Sequence, residues 1–188
     1  MDKRRTKKIG IDATICDIVT VDNSNNNKNY NEQILIKKGI TVFSYIAKNR
    51  EEFYGIDFIL RLAELYPEIN FRICGTDGDN YKHLKNVEFL GWIDNMNYEY
   101  DNCDIFMRLA QHDGLAFSVI EALSRGKWVI YSYPFDYVQT YNNFDDLKNK
   151  FQILLNKCIN KQYNNKAMDF VYSRYNIKKV LAELVRKL

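Results

Sequence analysis

The chain of 188 residues carries only two histidines, His83 and His112, and four cysteines, Cys16, Cys74, Cys103 and Cys158, with no C-x-x-C pair among them. A zinc site needs several such ligands at short spacing, so Cys and His coordination has little to work with. Cys74 lies in INFRICG and Cys103 just before DIFMRLA, both apolar runs, which predicts reduced, buried thiols. No apolar run reaches the roughly 18 residues of a membrane span, and no secretory leader is visible where Met1 leads straight into charge. A cytoplasmic protein is the expectation. A G-x-G-x-x-G fingerprint is also missing after the first strand of the main domain, where the sequence reads SYIAKNREEFYG. That absence argues against a dinucleotide-dependent epimerase or dehydrogenase.

Excess positive charge is confined to one place. The net charge is +3, but MDKRRTKK alone carries +4 from five basic residues and one acid, leaving −1 for the other 180 residues. Such a tail is a solvated terminus or a contact for anionic lipid, which would put the protein at the membrane periphery. Basic and aromatic residues do not interleave further along, so nucleic acid is not an expected partner.

What is present is globular in character, with 46% hydrophobic residues. A chain of this length buries roughly 70% of its unfolded surface and can form a core without staples. Residues 9–21, IGIDATICDIVTV, read as an extended arm, and six Asn fall within the nine residues from Asn23 to Asn31. That polar stretch favours turns and has little to bury. The expected division is a tail, arm and linker over 1–33 and one domain over 34–188.

Within the domain, apolar strand-like runs alternate with helical patterns. ILIKKGITVFSYIA is strand-like, and EEFYGIDFILRLAELYP places Ile56, Ile59, Leu60 and Ala63 at helical spacing with Leu62 on the flank, before Pro67. INFRICG reads as a strand closed by Gly75, TDGD as a turn, YKHLK as a short helix and VEFLGW as a strand. NMNYEYDNC reads as a brief helix, DIFMRLA as a strand, GLAFSVIEALSRG as a helix stopped by Gly126, and KWVIYS as a strand. DDLKNKFQILLNKCI, NKAMDFVYSRY and IKKVLAELVRKL read as closing helices. Strands apolar throughout, alternating with helices, predict a Rossmann-like α/β fold: a doubly wound parallel sheet with helices on both faces.

In such a sheet the ligand site lies beyond the carboxyl ends of the strands. The segment DIFMRLAQHDGLAFSVIEALSRG runs there from strand through loop to helix. His112, Asp113 and Gly114 end the loop, and Gly114 would let a ligand approach the backbone closely. Asp113 is expected at the helix cap, with the amides of Leu115, Ala116 and Phe117 open to an anion such as phosphate. Glu121 follows Asp113 by eight residues, about two turns of helix.

The stretch from Asp113 to Ala122, DGLAFSVIEA, resembles the E-x7-E segment of retaining GT-B glycosyltransferases. YGIDFILRLAELYPEINFRICGTDGD resembles that family's KG-helix-P-strand-G-x-G stretch, NVEFLGWIDNMNYEYDNCDIFMRL its F-x-G and Y-x-x-A-D stretch, and AMDFVYSRYNIKKVLAELVRKL its closing helices. The resemblance covers residues 38–188 and implies the donor-binding half of a GT-B fold, holding a nucleotide sugar such as a UDP or GDP sugar. It implies that Asp113 and Glu121 are the catalytic pair, Asp113 holding hydroxyls of the donor sugar and Glu121 those of the ribose. The amides after Gly114 would cradle the diphosphate, and Gly91, Trp92 and Ile93 would face the base, with Gly75 beside them. Lys48 and Arg50 would neutralise the diphosphate. No metal or other cofactor is expected, because helix start and cations would stabilise the leaving diphosphate.

This sequence departs from the family pattern in three places. Asp113 stands where Glu is usual, Tyr54 stands where a phosphate-binding Lys is usual, and Arg108 fills a place usually small or Pro, from which it could replace that lost cation. An N-terminal acceptor-binding domain is also expected of a whole enzyme, and residues 1–37 are too few to form one, so the acceptor would be held by another part of a longer protein, a separate chain or a membrane-associated partner. The alternative is a non-catalytic, degenerate GT-B-like module that docks on or regulates a partner enzyme. Taken singly, Asp113 could be a plain cap, Glu121 a solvated helix residue, Lys48 and Arg50 surface charges, His112 a loop residue and Trp92 a packing residue at a strand end.

Overall fold

The computed structural model describes residues 39–114, 116–175 and 185–186. The predicted arm and linker, Cys16, Leu115 and most of the helix predicted over 177–188 lie outside the described residues. Among the described residues, five strands and five helices follow one another: β1 (Thr41–Tyr45), α1 (Ile56–Leu65), β2 (Asn70–Cys74), β3 (Val87–Phe89), α2 (Asn97–Asn102), β4 (Ile105–Arg108), α3 (Phe117–Ser124), β5 (Trp128–Tyr131), α4 (Phe144–Ile159) and α5 (Asn165–Arg174).

The strands form one parallel sheet in the order β3-β2-β1-β4-β5. β1 is TVFSY, rich in β-branched and aromatic residues, and the alternation of its side chains feeds two cores. Val42 joins one core with Ile56, Ile59 and Leu62 of α1 and Leu147, Phe151 and Leu154 of α4. Phe43 joins the other with Tyr100 of α2, Val119, Ile120 and Leu123 of α3, and Ala167 and Val171 of α5. Helices therefore cover both faces, as a sheet buried on both sides requires. No helix among the described residues is long and apolar enough to cross a membrane.

Several local expectations are corrected by packing. On α1 Leu62 is fully buried at the centre of the contact, whereas Leu60 is the half-buried flank. YKHLK forms no helix. Five residues are too few to offset helix nucleation, and the chain there is held instead by Asn86, whose amide donates to the carbonyls of Ala63, Tyr66 and Ile69 at 2.9, 3.1 and 3.0 Å. The strand predicted over VEFLGW is only Val87–Phe89. Cys74 and Cys103 are buried as expected, but Cys158 is only half-buried because α4 turns it toward the core's edge.

Asn86 thus ties the end of α1 and the start of β2 to the turn before β3. Asn86→Ala orphans three carbonyls at once, and we expect a loss of about 2–3 kcal/mol in unfolding free energy, read by urea denaturation. An unchanged midpoint and slope would show that water replaces the amide without cost.

Candidate functional site

The sheet order reverses between β1 and β4, so the loops leaving their carboxyl ends diverge and open a crevice there. The loop after β2 knits to its neighbours through backbone hydrogen bonds. Lys48 N–H donates to the Gly75 carbonyl at 2.9 Å, and Gly75 N–H donates to the Gly91 carbonyl at 2.7 Å. Gly75 takes φ +90°, and a Cβ there would lie 2.5 Å from the Ile46 carbonyl oxygen.

Beyond these loops lies a cavity of about 300 Å³. The end of β1 and β2 supplies Tyr45, Cys74 and Gly75, the loop after β3 supplies Trp92 and Ile93, α2 supplies Tyr100, and the second turn of α3 supplies Glu121. Asp94, Asn95 and Asn97 add polar groups to the lining. Behind it, buried Glu99 takes a bidentate ion pair from Arg72, with Nε at 2.7 Å and Nη2 at 2.9 Å, which fixes α2 against β2. The Cys74 thiol donates to Met96 Sδ, and burial pushes its pKa up to about 12, so it is not a nucleophile at neutral pH.

A second cluster sits where β4 runs into α3. The Arg108 guanidinium, only 12% exposed, donates from Nε to Asp113 Oδ2 and lies 5.1 Å from the Tyr54 ring centre. Burial alone would lower the Arg108 pKa, but the Asp113 carboxylate more than offsets it and keeps the guanidinium charged. Asp113 Oδ1 also accepts from the Gly114 amide at 3.0 Å, and the Tyr131 hydroxyl donates to the Gly114 carbonyl at 2.8 Å. Burial and then the Asp113 charge push the Tyr131 pKa up to about 12, so that hydroxyl remains a donor. Gly114 faces open space, with nothing within 4 Å of a Cβ built on it.

Asp113 is therefore not the helix cap. α3 begins at Phe117, its N-cap is Ala116, and no side chain caps it. The pull of buried Arg108 draws the carboxylate to the strand end instead. The amides of Phe117 and the residue after it head the helix without an intrahelical acceptor, shifted from the expected set of Leu115, Ala116 and Phe117.

The predicted residues thus divide. Gly75, Trp92, Ile93 and Glu121 line one cavity, with Gly91 bracing its wall. Arg108, Asp113, Gly114 and Ala116 meet at the helix start, and His112, exposed, stands edge-on to the Tyr133 ring at 6.4 Å. Lys48 is exposed on the rim in an ion pair with Asp77, and Arg50 lies over the Phe53 ring at 4.4 Å; neither lines the cavity. Trp92 is 75% exposed, so it is no packing residue; its indole donates to Asp94. Sequence reasoning missed Tyr45, Cys74, Met96 and Tyr100 in the cavity wall and Tyr131 behind Gly114. Tyr45 and Cys74 carried a signal, each as the last residue of a strand whose carboxyl end faces the site. Among the described residues no three His, Cys, Asp or Glu converge as a metal site would require.

The family model for glycosyl transferases group 1 matches residues 26–151. No curated protein matches the chain by sequence. Among solved structures, a mutant of S. aureus TarM in complex with fondaparinux, alpha-GlcNAc-glycerol and UDP superposes with a TM-score of 0.70 at 17% identity, covering 99% of this chain and 42% of that one. Anabaena HepE in complex with UDP and glucose gives 0.62 at 16% identity, covering 80% of this chain and 49% of the other. Sucrose-phosphate synthase from Thermosynechococcus elongatus gives 0.65 at 15% identity, with coverages of 90% and 49%. Identities this low establish a common fold, and the chain spans less than half the length of each of these three. The family match over two-thirds of the sequence and the parallel sheet agree: this chain belongs to the glycosyl transferases group 1 family, of GT-B type.

Proposed function

We propose that this chain is the donor-binding half of a retaining glycosyltransferase and binds a nucleoside-diphosphate sugar. The observation that carries this reading is the cavity beyond the carboxyl ends of the parallel strands, with Glu121 in its wall and the open Asp113–Gly114 turn at the start of the same helix. In this reading the Asp113–Glu121 pair is the chain's version of the E-x7-E motif. Glu121 accepts from the ribose hydroxyls, the base lies toward Gly91, Trp92 and Ile93, and exposed Trp92 offers it a stacking face. The diphosphate runs over Gly114 to the amides heading α3, where the helix dipole favours negative charge. Asp113 holds the donor sugar, and Arg108, Lys48 and Arg50 are the cations that would neutralise the leaving diphosphate, Lys48 on release from Asp77. No metal is needed in this scheme. The acceptor is held by a second domain or a separate chain, and residues 34–188 form the donor unit. UDP in the HepE and TarM complexes makes a uridine nucleotide the first to try.

One observation favours the alternative of a non-catalytic docking module: Asp113 is already engaged by Arg108. Calorimetric titration of the full chain with UDP, GDP and ADP and their sugar conjugates separates the two. The catalytic reading expects one nucleoside diphosphate to bind at roughly micromolar to millimolar affinity. It also expects Asp113→Asn to weaken the sugar conjugate while leaving the bare diphosphate unchanged or tighter, because Arg108 is released. If no nucleotide binds a well-folded sample, the docking module becomes the better reading.

A further inference from the structure

Tyr100 is among the largest fully buried side chains of the described residues, 1% exposed, yet it lines the cavity. Its hydroxyl is sealed from solvent, and among the described residues no group completes a hydrogen bond to it. An unpaired buried hydroxyl costs free energy and calls for a partner gained in another state of the molecule. The ring itself is packed on several sides. Phe43 meets it edge-on at 5.3 Å, Phe106 packs at 5.5 Å, and the Arg125 guanidinium lies 5.2 Å from its centre.

Arg125 also fixes the neighbouring helices. Its Nη1 donates to the Glu121 carbonyl at 2.9 Å, while Nε and Nη2 donate to Asp101 and Asn97 of α2. The Tyr100 ring and the Glu121 backbone are therefore held in one frame, and only the exposed Glu121 side chain has room to turn. The two groups already lie close: burial first, then the Glu121 charge and the approach of its carboxylate to hydrogen-bonding range of the hydroxyl, raise the phenol pKa, so the hydroxyl stays a donor at any physiological pH.

We propose that Tyr100 is a positioning residue for Glu121: when a ribose enters the cavity, the Tyr100 hydroxyl donates to the Glu121 carboxylate and holds it turned toward the sugar hydroxyls. The inference rests on the reading of Glu121 as the ribose-binding carboxylate. It explains why a tyrosine whose hydroxyl completes no hydrogen bond among the described residues stands in the wall of the cavity, one helix away from the carboxylate.

A double-mutant cycle on the full chain tests it, with Tyr100→Phe, Glu121→Ala and the double variant each titrated with UDP, GDP and ADP. Tyr100→Phe is expected to weaken the nucleotide that binds by roughly threefold to tenfold, the worth of one hydrogen bond. In the Glu121→Ala background the same change should cost nothing further, because the carboxylate it positions is gone. Equal loss in both backgrounds, or no loss in either, overturns the proposal. Tyr100→Phe should also melt no lower than the wild type, since among the described residues no group completes a hydrogen bond to the hydroxyl before the ligand arrives; a lower melting temperature would assign it a structural role instead. If Glu121→Ala binds as tightly as the wild type, the ribose reading falls and this inference with it. Loss in Glu121→Ala without loss in Tyr100→Phe removes this inference alone.

Discussion

Glu121→Ala is expected to lower affinity for the cognate nucleoside diphosphate by at least about tenfold, and by a few hundredfold if both ribose hydroxyls donate to it, at roughly 1.5–3 kcal/mol for each charge-assisted hydrogen bond. The fold should not notice. Glu121 is exposed on α3, and the bonds that hold this turn run to its backbone carbonyl, from Ser124 Oγ at 2.8 Å and Arg125 Nη1 at 2.9 Å. Alanine keeps that carbonyl and favours the helix. Calorimetry beside a thermal melt checks both halves of the expectation. Wild-type affinity in the variant would sink the assignment of Glu121, and a large fall in melting temperature would mean that the side chain supports the fold.

Gly75→Ala should have the largest effect on stability of any change at the site, about 3 kcal/mol or more. The position takes φ +90°, and the new methyl would sit 2.5 Å from the Ile46 carbonyl oxygen and 2.9 Å from the Tyr45 ring. Neither neighbour yields easily. Ile46 is tied to Cys74, and relief by moving the loop would break the hydrogen bond that Gly75 accepts from Lys48 or the one it donates to Gly91. For a chain of this size that corresponds to a fall of roughly 6–12 °C in melting temperature. Gly114→Ala is the matched control: its φ is not positive and its surroundings are open, so its cost should stay within about 0.5 kcal/mol. If both glycines tolerate alanine equally, the tight loop junction after β1 and β2 is not the constraint described here.

Much of the architecture was legible because its signals are short-range. Period-two and continuous apolar runs marked β1, β2, β4 and β5, and period-3.6 patterns marked α1, α3, α4 and α5. Gly126, with φ +67°, does end α3 as its position suggested. Where local signals were weak, packing decided. YKHLK has enough helical character to suggest a turn of helix, but three carbonyls at the neighbouring elements recruit Asn86 and the segment stays irregular. Trp92 at a strand end suggested packing, but the strand stops at Phe89 and leaves the indole in solvent.

The candidate site shows the same division. The sequence by itself determined the fold class and which segment heads the crevice, because strand and helix periods are set by contacts within a turn or two of the chain, and its motifs carried the resemblance to the family that the family match bears out. Only the tertiary structure decided that Asp113 pairs with Arg108 instead of capping α3, that Lys48 is spent on Asp77, and that the Tyr100 hydroxyl, with no completed hydrogen bond among the described residues, stands in the cavity that Glu121 also lines. Those facts depend on which loops the order β3-β2-β1-β4-β5 brings side by side and on how deeply each charge is buried there. Partner choice in a desolvated site follows from that geometry, and no periodicity along the chain encodes it.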